Sequence, residues 1–85
     1  MVKYKIQVKK SAAKELGKIP QKDLVKILDK IERLATNPHP IGSIKLTNQK
    51  KYRIRIGNYR VLYSIEDDIL TVFVVKVSHR KNIYR

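Results

Sequence analysis

The sequence predicts an α+β fold, with two N-terminal helices covering one face of a small, mostly antiparallel sheet in the order β-α-α-β-β-β-β. Three observations predict it. Residues 3–9 alternate charged or polar with apolar side chains, the period of a half-buried strand. Residues 24–35 carry apolar side chains at i, i+3, i+4 and i+7, the stripe of an amphipathic helix. Residues 51–77 hold three β-like runs separated by turn signals. Helices followed by a run of strands segregate into layers, helix on sheet.

Taken in order, Tyr4, Ile6 and Val8 point to one side of the first strand. Ser11 offers an N-cap for a short helix carrying Ala12, Ala13 and Leu16. Gly17 closes that helix, and Pro20 suits the first position of the next. The second helix buries Leu24, Ile27, Leu28, Ile31, Leu34 and Ala35 and stops at Asn37-Pro38. His39 lies in a loop bounded by prolines and reads as structural. Residues 44–47 suit a short edge strand. Gly57-Asn58 joins the next two runs as a tight turn. Glu66-Asp67-Asp68 forms another turn. Residues 69–77 are apolar on both faces, as expected of the most buried strand. Residues 78–85 read as a polar tail, irregular or a short helix.

The chain has 85 residues, which fits one domain across residues 1–85. A chain of this length buries only about 60–65% of its unfolded surface, so the core is thin. It has no cysteine, which excludes disulfides and thiolate-held zinc or iron–sulfur sites. Residues 1–10 lack the apolar stretch of a signal peptide and no segment suits a membrane span, so the expected location is the cytoplasm. Twenty Lys and Arg oppose seven Asp and Glu, a formal charge of +13. Such an excess repels itself unless the partner is a polyanion.

A two-residue turn at Gly57-Asn58 fixes the register of the hairpin. Tyr52, Ile54, Ile56, Tyr59, Val61 and Tyr63 then share the core face. Lys51, Arg53, Arg55 and Arg60 share the other, with Arg55 directly opposite Arg60. Like charges placed opposite each other disfavour the pairing. An anion between two guanidinium forks reverses the sign, since each grips phosphate with two N–H bonds. A solvated face with splayed side chains is the bland alternative. Against it stands the segregation of charge: residues 45–60 hold Lys45, Lys50, Lys51, Arg53, Arg55 and Arg60 and no acid, and residues 76–85 hold Lys76, Arg80, Lys81 and Arg85 and no acid. His79 can move protons near neutrality, and Tyr84 can stack on an unpaired base. No phosphate-cradling glycine loop is present. The acids are too scattered for a magnesium site, so neither metal nor cofactor is expected.

The run from Lys51 to Tyr63, the Val- and Phe-rich strand after it, and the ending Val77-Ser78-His79-Arg80-Lys81-Asn82-Ile83-Tyr84-Arg85 resemble the RelE branch of the RelE/ParE toxin superfamily. The resemblance covers essentially the whole chain, and the His-Arg-Lys-x-x-Tyr-Arg ending is its more RelE-like part. It implies a toxin that enters the ribosomal A site and cuts mRNA without a metal, restrained by an acidic RelB-like antitoxin. By motif the cleaving groups fall on Arg53, Arg55, Arg60, Arg80 and Tyr84. Lys45, Lys50, Lys51, His79, Lys81 and Arg85 would hold RNA. Arg55 and Arg60 would clamp the phosphate and Arg53 would act near the 2′-OH. Arg80 or His79 would assist the leaving 5′-oxygen. Arginine is a poor base, so the group that takes the 2′-OH proton stays open. Two other readings share the charge and fold: a ParE-like inhibitor of DNA gyrase, and a nucleic-acid-binding domain with no chemistry.

Overall fold

The computed structural model describes residues 3–46 and 50–79. Strand β1 (Lys5–Val8) leads directly into α1 (Lys10–Gly17) and α2 (Gln21–Arg33). The short β2 (Ile44–Lys45), then β3 (Lys51–Ile56), β4 (Tyr59–Glu66) and β5 (Thr71–His79) follow. One five-stranded sheet results, in the order β1-β5-β4-β3-β2. The β2–β3, β3–β4 and β4–β5 pairs are antiparallel, whereas β1 runs parallel to β5. The β1-α1-α2 segment therefore carries the chain from one edge of the sheet across its covered face towards the other.

The helices cover one face only. Ala12 and Leu16 of α1, with Ile27 and Ile31 of α2 and Leu34 beyond it, meet Ile54, Ile56, Val61, Tyr63, Ile65, Val72, Val74 and Val77 in a single core. Tyr63 is fully buried at the centre and its hydroxyl donates to the Pro38 carbonyl at 2.9 Å. Its ring stacks on Tyr52 at 5.8 Å, and His39 meets Tyr52 edge-on at 5.0 Å. The loop after α2 is thereby fastened to the sheet by one hydrogen bond and an aromatic stack, and His39 packs there as expected.

Several details differ from the sequence expectations. Lys9, not Ser11, precedes the first helical residue, because β1 passes into α1 with Lys9 still bonded to the Val74 carbonyl. Pro20 sits one position before the helix rather than within it, with extended backbone, its carbonyl accepting from Asp23 and Leu24. Leu28 is 45% exposed, since the sheet is met by the narrower line Leu24, Ile27, Ile31 and Leu34. Val8, at the end of an edge strand, is 38% exposed. Of residues 44–47, only Ile44 and Lys45 pair as a strand, and Thr47 lies outside the described residues.

The acidic turn is a short 3-10 turn (Asp67–Ile69) followed by Leu70 in the left-handed region at φ 46°. There Tyr4 donates to Asp67 Oδ1 at 2.6 Å, tying the turn to the N-terminal segment. The carboxylate holds the Tyr4 phenol above its ordinary pKa. Strand β5 runs on through Ser78 and His79, two residues beyond where the sequence suggested a tail. Between Leu62 and Tyr63 its pairing shifts by one, so Val75 is an extra residue: Leu62 faces Lys76 and Tyr63 faces Val74. Such a bulge re-aims the side chains beside it.

Candidate nucleic-acid interface

The hairpin that builds the open face is set by its turn. Ile56 pairs with Tyr59, leaving two residues in the loop, and Gly57 adopts φ 58°. A positive φ at the first loop position is the II′ arrangement, whose twist matches the strands and which favours glycine there. Arg55 therefore pairs with Arg60, as the alternation requires. Next to a closing hydrogen-bonded pair comes a non-hydrogen-bonded one, with Cα atoms only about 4.5 Å apart. The two guanidinium groups leave the backbone side by side.

Register extends this face into rows across the sheet. Arg55, Arg60 and Ser78 form one row; Arg53, Leu62 and Lys76 form the next; Lys51, Ser64 and Phe73 form the third. Strands lie about 4.8 Å apart, so Arg53 and Lys76 start roughly 10 Å from each other on either side of Leu62. A groove of about 190 Å³ lies here, lined by Leu46, Arg53, Arg60, Leu62, Lys76 and Ser78. A second, larger one of about 790 Å³ runs from Lys51, Leu62, Val75 and Lys76 towards Lys9, Ser11 and Glu15 of α1, so an acid borders it. Among the described residues of the first groove every charged group is cationic. The acids of the Glu66–Asp68 turn lie at the far end of β4, about 20 Å away by strand rise. The surface thus offers a short track of positive charge with an apolar floor, suited to a phosphate backbone with bases laid against Leu62.

The structure brings Arg53, Arg55 and Arg60 to this face, with Lys51 one row away. It does not bring Lys45, Lys50 or His79 into the arginine groove. Lys45 pairs with Tyr52 and so turns to the helix side. With Lys50, His39 and the acidic turn it lines a separate groove of about 300 Å³. His79 pairs with Tyr59 and meets its ring edge-on at 5.0 Å, also on the helix side. The bulge and the two-residue length of β2 are what place these groups, and neither shows in local alternation. Arg80, Lys81, Tyr84 and Arg85 lie outside the described residues. Lys76 was counted in the sequence only as part of the charge excess. Its place beside Arg53 and Arg60 depends on the bulge, which the apolar run Val72–Val75 conceals. Among the described residues no group of three or more His, Cys, Asp or Glu side chains could hold a metal, and no helix is long and apolar enough to cross a membrane.

Comparison with known proteins assigns the scaffold. The family model of the ParE toxin of the parDE type II toxin–antitoxin system matches residues 6–84, so the chain belongs to this family of type II toxins. Its relatives there are of the RelE type. A Methanocaldococcus jannaschii protein carrying the name RelE1 is 32% identical, covering 99% of this chain and 98% of its own. The toxin RelG of Mycobacterium tuberculosis is 30% identical, covering 96% and 97%. Among solved structures, the M. tuberculosis RelBE2 toxin–antitoxin complex contains a chain that superposes with a TM-score of 0.83 at 28% identity, covering 93% of this chain and 100% of that one. The archaeal RelE–RelB complex of Pyrococcus horikoshii gives the same TM-score and identity over 94% and 97%. The protein is a RelE-type toxin.

Proposed function

We propose that this toxin is a ribosome-dependent endoribonuclease that cuts mRNA in the A site and so stops translation. The observation that carries the reading is the Arg55–Arg60 pair on the uncovered face of β3–β4, with Arg53 alongside. Two guanidinium groups placed opposite each other repel across the pair. A phosphodiester between them turns that repulsion into bidentate recognition.

RNA brings its own nucleophile, so the protein needs to align it and offset charge. The 2′-oxygen attacks the adjacent phosphorus, the bond to the 5′-oxygen breaks, and the products are a 2′,3′-cyclic phosphate and a 5′-OH. Arg55 and Arg60 hold the non-bridging oxygens as charge builds on them. Arg53 lies one row along, towards the nucleotide carrying the 2′-OH, where a fixed positive charge favours loss of its proton to water. No metal takes part in this scheme. Arg80 and Tyr84 are assigned by motif, the first to the leaving 5′-oxygen and the second to stacking on a base. Lys51, Lys81 and Arg85 hold flanking phosphates, and Lys45, Lys50 and His79, which lie outside the arginine groove, take no step in this scheme. The toxin acts in the cytoplasm. The M. tuberculosis RelBE2 and P. horikoshii RelE–RelB structures are toxin–antitoxin complexes, and a chain of charge +13 suits an acidic antitoxin of that kind as its restraint.

Addition of the protein to a translating cell-free extract, with primer extension on the mRNA, tests this. Cuts within codons are expected, and Arg60→Ala should abolish them. Intact mRNA in the presence of folded protein would refute the reading. The ParE description of the matching family model favours one second reading, gyrase inhibition. Loss of supercoiling activity with mRNA left whole would establish it instead.

A further inference from the structure

We infer that the open edge of β3 at Arg55 receives an extended segment of the acidic antitoxin, an inference that rests on the proposed restraint of the toxin by such a partner. Arg55 and Arg60 form a non-hydrogen-bonded pair, so the Arg55 N–H and C=O point away from β4. They point to the side where β2 pairs. On that side, in the same alternation, the Leu46 N–H donates to the Lys51 carbonyl at 2.9 Å. Pairing with β2 stops at Ile44 and Arg53. The chain before Ile44 turns off there, with the Ser43 N–H bonded to the Pro40 carbonyl and Gly42 at φ 97°. Among the described residues no backbone group takes up Arg55 on that side. An unpaired edge is a template for another strand.

The surroundings say which strand fits. Beside this edge a groove of about 550 Å³ is lined by Pro40, Ile41 and Ile54, with Lys30 and Arg33 as its charged groups. Ile41 is wholly exposed. Arg33 shares an exposed ion pair with Asp29 at 3.0 Å, a contact weak enough to yield to a new partner. A segment continuing the line of β2 runs antiparallel to β3. The residue that exchanges both main-chain bonds with Arg55 stands directly opposite it and shares its face of the sheet. A Glu or Asp there lays its carboxylate in the Arg55 fork. The residues on either side fall on the helix side, where apolar side chains cover Ile41. The occupant is thus an extended stretch in which apolar and acidic residues alternate, its net charge drawn by Lys30 and Arg33. Its acid takes the guanidinium group that the proposed reaction needs for phosphate, so antitoxin and RNA exclude each other at Arg55.

The test titrates the full chain, followed by NMR of its backbone amides, with the capped peptide Val-Glu-Val-Glu-Val-Glu and with its block isomer Val-Val-Val-Glu-Glu-Glu. At millimolar concentration the alternating peptide should shift the Arg55 amide and slow its hydrogen exchange. The block isomer, of equal charge, should bind about tenfold more weakly. Methylating the glutamate nitrogens, whose N–H groups face β3, should weaken binding by about 3–10-fold, and methylating the valine nitrogens should not. Ile41→Asp should weaken binding by about tenfold or more, with thermal midpoint and mRNA cutting unchanged, since that side chain is exposed and lies off the arginine face. Equal binding of the two isomers would mean that charge suffices and would overturn the inference. So would an unmoved Arg55 amide, protection at Ile6 and Val8 of β1 instead, or wild-type binding by Ile41→Asp. A wild-type protein that binds the alternating peptide at Arg55 yet leaves mRNA whole would remove the nuclease reading and leave this docking edge standing.

Discussion

Replacing Tyr63 by phenylalanine removes a single oxygen and leaves the ring in place. The stack on Tyr52 at 5.8 Å survives, so the change isolates what the hydroxyl contributes, its hydrogen bond to the Pro38 carbonyl and its contact with Ser43. Both partners are buried. Loss of a buried bond that orphans its acceptor costs about 1–3 kcal/mol, less what is regained because the hydroxyl no longer has to be desolvated. A net loss of about 1–2 kcal/mol is therefore expected. In a domain of this size each kcal/mol moves the thermal midpoint by about 4–8 °C, so Tyr63→Phe should melt roughly 5–15 °C lower. Urea unfolding should show the same loss as a lower midpoint with an unchanged slope. The bond also holds the loop that leads to β2, beside Arg53. A stability loss below about 0.5 kcal/mol, the scatter of surface changes, would refute the claim that this bond pins the loop to the sheet.

Alkali should act through the same residue. Burial pushes the Tyr63 phenol above its ordinary value, a nearby Ser43 hydroxyl partly opposing it. The fold therefore binds the neutral form, and that stability is complete below about pH 10, where the unfolded phenol titrates. It is lost as pH rises through the folded-state value, and unfolding curves of Tyr63→Phe should lack this component. Gly57→Ala places an L side chain at φ 58° with open space around it, so the cost is conformational, about 1–2 kcal/mol. Gly57→Asn should cost about as much, because the first position of a II′ turn lies outside the αL region that asparagine tolerates; calorimetry would compare the two. Ile27→Ala should cost about 2–5 kcal/mol, whereas Leu28→Ala, one residue along and half exposed, should cost well under half as much in the same urea titration.

How far the sequence could be read depended on whether information was local. The hairpin was legible because a two-residue loop and strict alternation leave one register, and Arg55 falls opposite Arg60 with no further knowledge. The helix stripe was legible for a similar reason, though its width was not. Leu28 fits the period, yet the sheet meets a narrower line. Strand partnership across the chain was not legible: nothing in residues 5–8 states that they run parallel to β5. The bulge was hidden because Val74 and Val75 are alike, so no pattern says which is the extra residue. That single extra residue decides that Lys76 joins the arginines and that His79 turns to Tyr59 instead. The facing of Lys45 was not legible, since a two-residue strand carries no alternation.

The central claim is that the cationic face of β3–β4–β5 promotes attack by the RNA's own 2′-oxygen. The most direct measurement programs ribosomes with an mRNA bearing a single 2′-deoxynucleotide immediately before the scissile phosphate. Our account predicts that the all-ribose mRNA is cut there, leaving a 2′,3′-cyclic phosphate, while the substituted one stays whole at that position. Cutting of both at the same position would contradict it.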